Sequence, residues 1–147
     1  MNATMSPLSL KVSRVIKAPR ARVFDAWTKP ELIMKWLGPN PCQITSARTD
    51  LRVGGEYVFN VRNPEGEKVV QGEYREITPP SRLVFTWFGT CPGAKQTEPT
   101  LVTVVLSDKN GGTEVSITHE GFASAESCDG HNQGWTGSLD RMEKLFE

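Results

Sequence analysis

Residues 111 to 146 read GGTEVSITHEGFASAESCDGHNQGWTGSLDRMEKLF, and within this stretch the period of the apolar side chains changes. Val115, Ile117 and His119 alternate with Glu114, Ser116, Thr118 and Glu120, the period of two that marks a half-buried strand. His119 therefore falls on the apolar face and Glu120 on the wet one. Farther on, His131, Trp135, Leu139, Met142, Leu145 and Phe146 recur at helical spacing to the end of the chain, which predicts the longest helix of the protein. A strand followed by one long amphipathic helix at the C-terminus is the framework into which the rest must fit.

Upstream, Ser107 to Gly112 contains an Asn-Gly turn that joins this strand to another over Leu101–Leu106. Leu83, Phe85 and Trp87 share one face of a strand that follows Pro79-Pro80, and a strand over Lys68–Ile77 precedes that break. Asn63-Pro64-Glu65-Gly66 is a hairpin turn, Tyr57, Phe59 and Val61 alternate before it, and Gly54-Gly55 marks a turn or bulge after a weak strand over Ile44–Asp50. Near the start, Leu8, Leu10, Val12, Val15 and Ile16 form a first strand. Two short helices follow: one over Pro19–Thr28 with Val23, Phe24 and Trp27 on its apolar face, and one carrying Leu32, Ile33, Trp36 and Leu37, closed by Gly38 as a left-handed cap. Residues 89 to 99, GTCPGAKQTEP, are long for a hairpin connection and suggest a lid or rim loop.

The order is strand, two short helices, six antiparallel strands, long helix. One sheet of that size must bury a face, and the terminal helix is the element long enough to cover it, so the sheet should curl around the helix. The class is α+β, with residues 8–147 forming a single domain behind a short tail over 1–7.

Composition bounds function. In 147 residues, Lys+Arg and Asp+Glu both number 17, so no net field steers the chain to nucleic acid. No apolar run approaches the roughly 20 residues of a membrane span, and Met1 to Leu10 lack a secretory pattern. A cytoplasmic location is expected. Cys42, Cys91 and Cys128 fit neither a disulfide framework nor a paired metal motif, and two histidines exclude a three-imidazole site. No metal and no cofactor are expected. There is no G-x-S-x-G elbow.

The segments APRARVFDAWTKPELIMKWLGP, DLRVGGEYVFNV, GEYREITPPSRLVFTW, GGTEVSITHEGF and HNQGWTGSLDRMEKL together resemble the activator of heat-shock-chaperone ATPase homologue-like branch of the START-like, or SRPBCC, superfamily, from about Leu10 to Leu145. The resemblance implies a helix-grip fold, START-like and Bet v-like, in which a curved antiparallel sheet wraps a long C-terminal helix. It also implies a hydrophobic or amphipathic small molecule held in the intervening space by a carrier, sensor or sequestering protein. Two other readings come with it: a cyclase- or dehydratase-type enzyme, and a chaperone-ATPase regulator acting by protein binding. Binding is expected ahead of catalysis. A chaperone is a further partner it suggests, and a homodimer is a separate expectation.

The residues expected to line the cavity are Trp36, Tyr57, Phe59, Phe85, Trp87, His119, His131, Trp135, Leu139 and Met142. His119 and His131, one on the last strand and one on the first turn of the helix, should converge at one end. There an imidazole could orient a ligand carbonyl or carboxylate, or serve as general acid or base. Arg48, Arg52 and Arg62 are the basic residues able to meet an anionic group at the rim, unless they merely solvate an outer face.

Overall fold

Alternating strands and two helical patterns produce ten elements in the computed structural model, which describes residues 8–38, 42–64, 66–90, 99–122 and 124–147. They are β1 (Leu8–Ile16), α1 (Arg20–Thr28), α2 (Pro30–Trp36), β2 (Gln43–Thr49), β3 (Glu56–Asn63), β4 (Gly66–Thr78), β5 (Arg82–Thr90), β6 (Thr100–Lys109), β7 (Gly112–Phe122) and α3 (Ala125–Leu145). The strands form one antiparallel sheet in the order β1-β7-β6-β5-β4-β3-β2. This is the curved seven-stranded sheet and terminal helix of the helix-grip fold.

Register sets which side chains share a face. Leu10 and Val102 both pair with His119, Val12 and Val104 with Ile117, and Leu106 with Val115, so period-two alternation becomes continuous apolar rows across three strands. Phe85 continues the row beyond Val102, and Tyr74 lies beyond Phe85. Val102, Val115, Ile117 and His119 are fully shielded from solvent.

The sheet curls far enough for its two ends to meet the same two turns of α3. From β1, the Arg14 guanidinium binds Asp140 and Glu143, both at 2.9 Å. From the segment just before β2, the Cys42 carbonyl accepts from Arg141 at 2.8 Å. Between these clamps Trp135, Leu139 and Met142 enter the concave face, with Leu139 1% and Met142 0% exposed. The helix begins at a Ser124 cap, whose hydroxyl accepts from the Ser127 N–H.

Curvature needs close approach at one strand position. A Cβ on Gly72 would lie 2.0 Å from the Thr86 carbonyl oxygen and 2.7 Å from the Tyr57 hydroxyl. Glycine there lets Tyr57, its partner on β3, reach over β4 and donate to Thr86 on β5.

Boundaries differ from the sequence reading where pairing extends a strand. β5 runs through Gly89 and Thr90 because they pair with Val70 and Val69, so these two are strand and not part of the lid or rim loop expected from Gly89; residues 91–98, with Cys91, lie outside the described residues, as does the tail over 1–7. β4 starts at Gly66 rather than Lys68, and β2 occupies Gln43–Thr49 rather than Ile44–Asp50. Pro19 stands at the N-cap of α1 with extended backbone, one residue outside the helix. Gly38, at φ +95°, closes α2 in the left-handed conformation.

Candidate functional site

The concave face of β3–β5 is not covered by α3 alone. Pro30 starts α2 directly after α1, and the pair turns Trp27, Ile33, Trp36 and Leu37 down onto the sheet. Beneath them lie Tyr57, Phe59, Tyr74, Leu83, Phe85 and Trp87, and Trp135 of α3 forms the remaining wall. The cavity these residues line offers about 20 Å³ to the centre of a water molecule, room for roughly one. Its walls are rings in contact: Trp27–Trp36 centroids are 4.6 Å apart, Trp27–Trp135 5.8 Å, and Tyr57–Phe59 4.8 Å. No Asp, Glu, Lys, Arg or His is among the lining residues, and burial pushes the Tyr57 and Tyr74 hydroxyls far above the ordinary tyrosine value. The surface is uncharged at any physiological pH.

Of the residues expected to line a cavity, Trp36, Tyr57, Phe59, Phe85, Trp87 and Trp135 do so. His119, His131, Leu139 and Met142 lie outside it. Trp27, Ile33, Leu37, Tyr74 and Leu83 complete the wall and had not been singled out for it. For Trp27 a signal existed, since it shares a helical stripe with Val23 and Phe24, but that stripe reads equally well as ordinary core.

The two histidines do converge, with ring centroids 5.1 Å apart, on the far side of Trp87 and Trp135 from the cavity. The space there is filled: Phe122 packs 4.4 Å from the His119 ring and 4.9 Å from His131, and the Trp87 ring lies 5.9 and 6.4 Å from them.

The hydrogen bonds of His119 assign its tautomer. The Trp135 indole N–H, which can only donate, gives to Nδ1 at 3.0 Å, so Nδ1 carries no proton. Nε2–H then donates to the Thr100 hydroxyl at 2.6 Å, and that hydroxyl donates onward to the Trp87 carbonyl at 2.9 Å. A directed relay runs from α3 through β7 and β6 to β5. Burial, with a smaller contribution from His131, lowers the His119 pKa from 6.5 to about 3. At neutral pH neither nitrogen is free to take or give a proton.

His131 is half-buried on the first turns of α3. Its Nδ1–H donates to the Ser127 carbonyl at 2.8 Å, which leaves Nε2 as the bare nitrogen of the neutral ring. Burial lowers its pKa, the bond to Ser127 opposes that, and the Lys68 charge adds to the lowering.

The arginines do not gather at the cavity. Arg52 pairs with Asp50 at 2.8 Å in the β2–β3 connection, Arg62 lies 3.7 Å from Glu67, and Arg48 pairs in register with Val58 on the convex face. Among the described residues no group of three His, Cys, Asp or Glu could hold a metal, and no helix is long and apolar enough to cross a membrane. Cys42 and Cys128 are free thiols, and burial followed by the Asp129 charge raises the latter's pKa.

Among curated proteins none matches this chain. Solved structures do. A protein from Chromobacterium violaceum is 27% identical and superposes with a TM-score of 0.81, covering 96% of this chain and 99% of that one. One from Nitrosomonas europaea is 26% identical, with a TM-score of 0.78 and coverage of 94% and 93%. The AHSA1 protein from Silicibacter pomeroyi, at 21% identity, shares the fold with a TM-score of 0.80 over 94% of this chain and 96% of its own. The family model described as "Activator of Hsp90 ATPase homolog 1-like protein" matches residues 17–147. With sheet order, terminal helix and family model in agreement over nearly its whole length, the chain belongs to the Activator of Hsp90 ATPase homolog 1-like family.

Proposed function

We propose that the protein binds a hydrophobic or amphipathic small molecule between the sheet, the α1–α2 pair and α3. The observation that supports this reading is the cavity itself: a small, uncharged, aromatic space at the place where three layers meet. At about 20 Å³ it is far smaller than the space, on the order of several hundred Å³, that a drug-sized ligand needs. Entry requires a wall to part, and α2 is the wall suited to it. At seven residues α2 is too short to be stable alone, and it holds to α1 through Trp36 Nε1 and the Ala26 carbonyl and to α3 through the Gly38 N–H and the Ser138 hydroxyl. Apparent affinity is then reduced by the fraction of time the cover is open.

The engaged ring nitrogens of His119 weigh against the cyclase-type alternative at that residue. The family description favours one other reading, regulation of a chaperone ATPase by protein contact. Assay of a purified Hsp90 ATPase with and without the protein separates it from ligand binding.

A panel of apolar compounds titrated against tryptophan fluorescence tests the main proposal. Saturable quenching with dissociation constants around tens of micromolar is expected, from about 0.3 kcal/mol per heavy atom. Trp135→Leu, which keeps apolar volume and removes an aromatic wall, should weaken binding several-fold. Absence of saturable quenching, or quenching unchanged in Trp135→Leu, overturns the reading.

A further inference from the structure

Three polar side-chain atoms of the cavity wall have a partner. Trp36 Nε1–H donates to the Ala26 carbonyl, the Tyr57 hydroxyl to the Thr86 carbonyl, and Trp135 Nε1–H to His119. Trp27 Nε1 has none among the described residues. The Trp27 side chain is 5% exposed, it belongs to the wall, and its Nε1–H is the one buried side-chain donor that finds no acceptor among those residues. An unmet donor in an apolar interior is a standing cost, and native proteins carry few of them.

We propose that the ligand of this cavity is a neutral aromatic molecule bearing one hydrogen-bond acceptor, a ketone, aldehyde, ester or quinone oxygen, which receives the Trp27 Nε1–H. The inference rests on the small-molecule reading above and narrows it to a ligand class. The acceptor follows from the donor that lacks one. Neutrality follows from the lining, which has no cationic side chain to accompany a carboxylate out of water. The aromatic character follows from the rings around Trp27: Trp36, Trp135 and Phe85 lie at centroid distances of 4.6, 5.8 and 6.4 Å in edge-on and tilted contacts, which an aromatic ring entering as the wall parts can make in turn.

Three probes of one shape decide it: 2-acetylnaphthalene, 2-ethylnaphthalene and 2-naphthoate, titrated calorimetrically against the wild-type protein and Trp27→Phe. The readout is the ratio of ketone to hydrocarbon affinity, because the ketone sheds water that the hydrocarbon never held. That ratio should fall about tenfold in Trp27→Phe, and naphthoate should bind weakest to the wild type. In wild-type protein labelled with ¹⁵N, the ketone should shift the Trp27 indole N–H resonance downfield while the hydrocarbon leaves its hydrogen-bond state unaltered; contacts to Phe85 and Trp36 assign that resonance even where Trp27→Phe does not fold. An unchanged ratio, an unmoved resonance or preferred binding of naphthoate overturns this inference alone. Failure of both neutral probes to bind overturns the small-molecule reading and this one with it.

Discussion

His119 shows how one polar side chain can sit fully buried in an apolar sheet without instability. Both ring nitrogens are used, one as acceptor and one as donor, so the neutral ring leaves nothing unmet. Protonation would break that arrangement, because Nδ1–H would face the Trp135 N–H. In the unfolded chain the imidazole takes up a proton below its ordinary 6.5; in the folded chain it resists until about 3. Between those values the unfolded state binds more protons, so stability falls as pH falls, with a slope approaching about 1.4 kcal/mol per pH unit from this group. Denaturant titrations at pH 7, 6 and 5 should show that decline, and His119→Gln should make it distinctly shallower while His131 sustains a remainder. Equal slopes in the two proteins would mean that His119 is not held neutral by burial. Alternation in residues 113–120 was enough to turn this histidine inward. Its partner Thr100 was not legible, because the pairing of β6 with β7 that puts them on one face is a property of neither strand alone.

The terminal helix carries more of the fold than its ion pairs suggest. Arg14 bridges to Asp140 and Glu143, but both carboxylates are substantially exposed, 62% and 49%, where such pairs contribute about 0 to 1 kcal/mol. The hold comes from Trp135, Leu139 and Met142 in the concave face. Leu139→Ala should therefore cost about 2 to 5 kcal/mol, since the sheet beneath cannot collapse into the void. A loss below about 0.5 kcal/mol in chemical denaturation would show that the helix packs otherwise. Elements of this kind were the most readable part of the sequence: the stripe from Trp135 to Leu145 and the alternation in residues 113–120 carry their own periods. Strand ends were less so. Gly89 has no strand signal of its own, and with Thr90 it is held in β5 by Val70 and Val69 across the ladder.

Across the molecule, the sequence could place aromatic residues on inward faces but not say how completely they fill the space. That depends on the sum of ring volumes against the curvature of the sheet, and on which side of Trp87 and Trp135 the remainder falls. The same sheet is open, with β1 and β2 as its outermost strands, and each breaks register with its neighbour, between Leu8 and Ser9 and between Ile44 and Ser46. In β2 the residue left over is Thr45, whose hydroxyl donates to the Asn60 carbonyl at 3.3 Å. A kinked outer strand is a poor template for a neighbouring molecule, because its free N–H and C=O groups no longer form an even row. The extra residue in β2 should therefore disfavour strand-to-strand association in a crowded solution. Deleting Thr45 leaves Ile44 facing inward and Ser46 outward, and straightens the border; concentrated samples should then scatter light earlier on warming than the wild type at matched stability. If their turbidity onset is the same, protection of that border resides elsewhere.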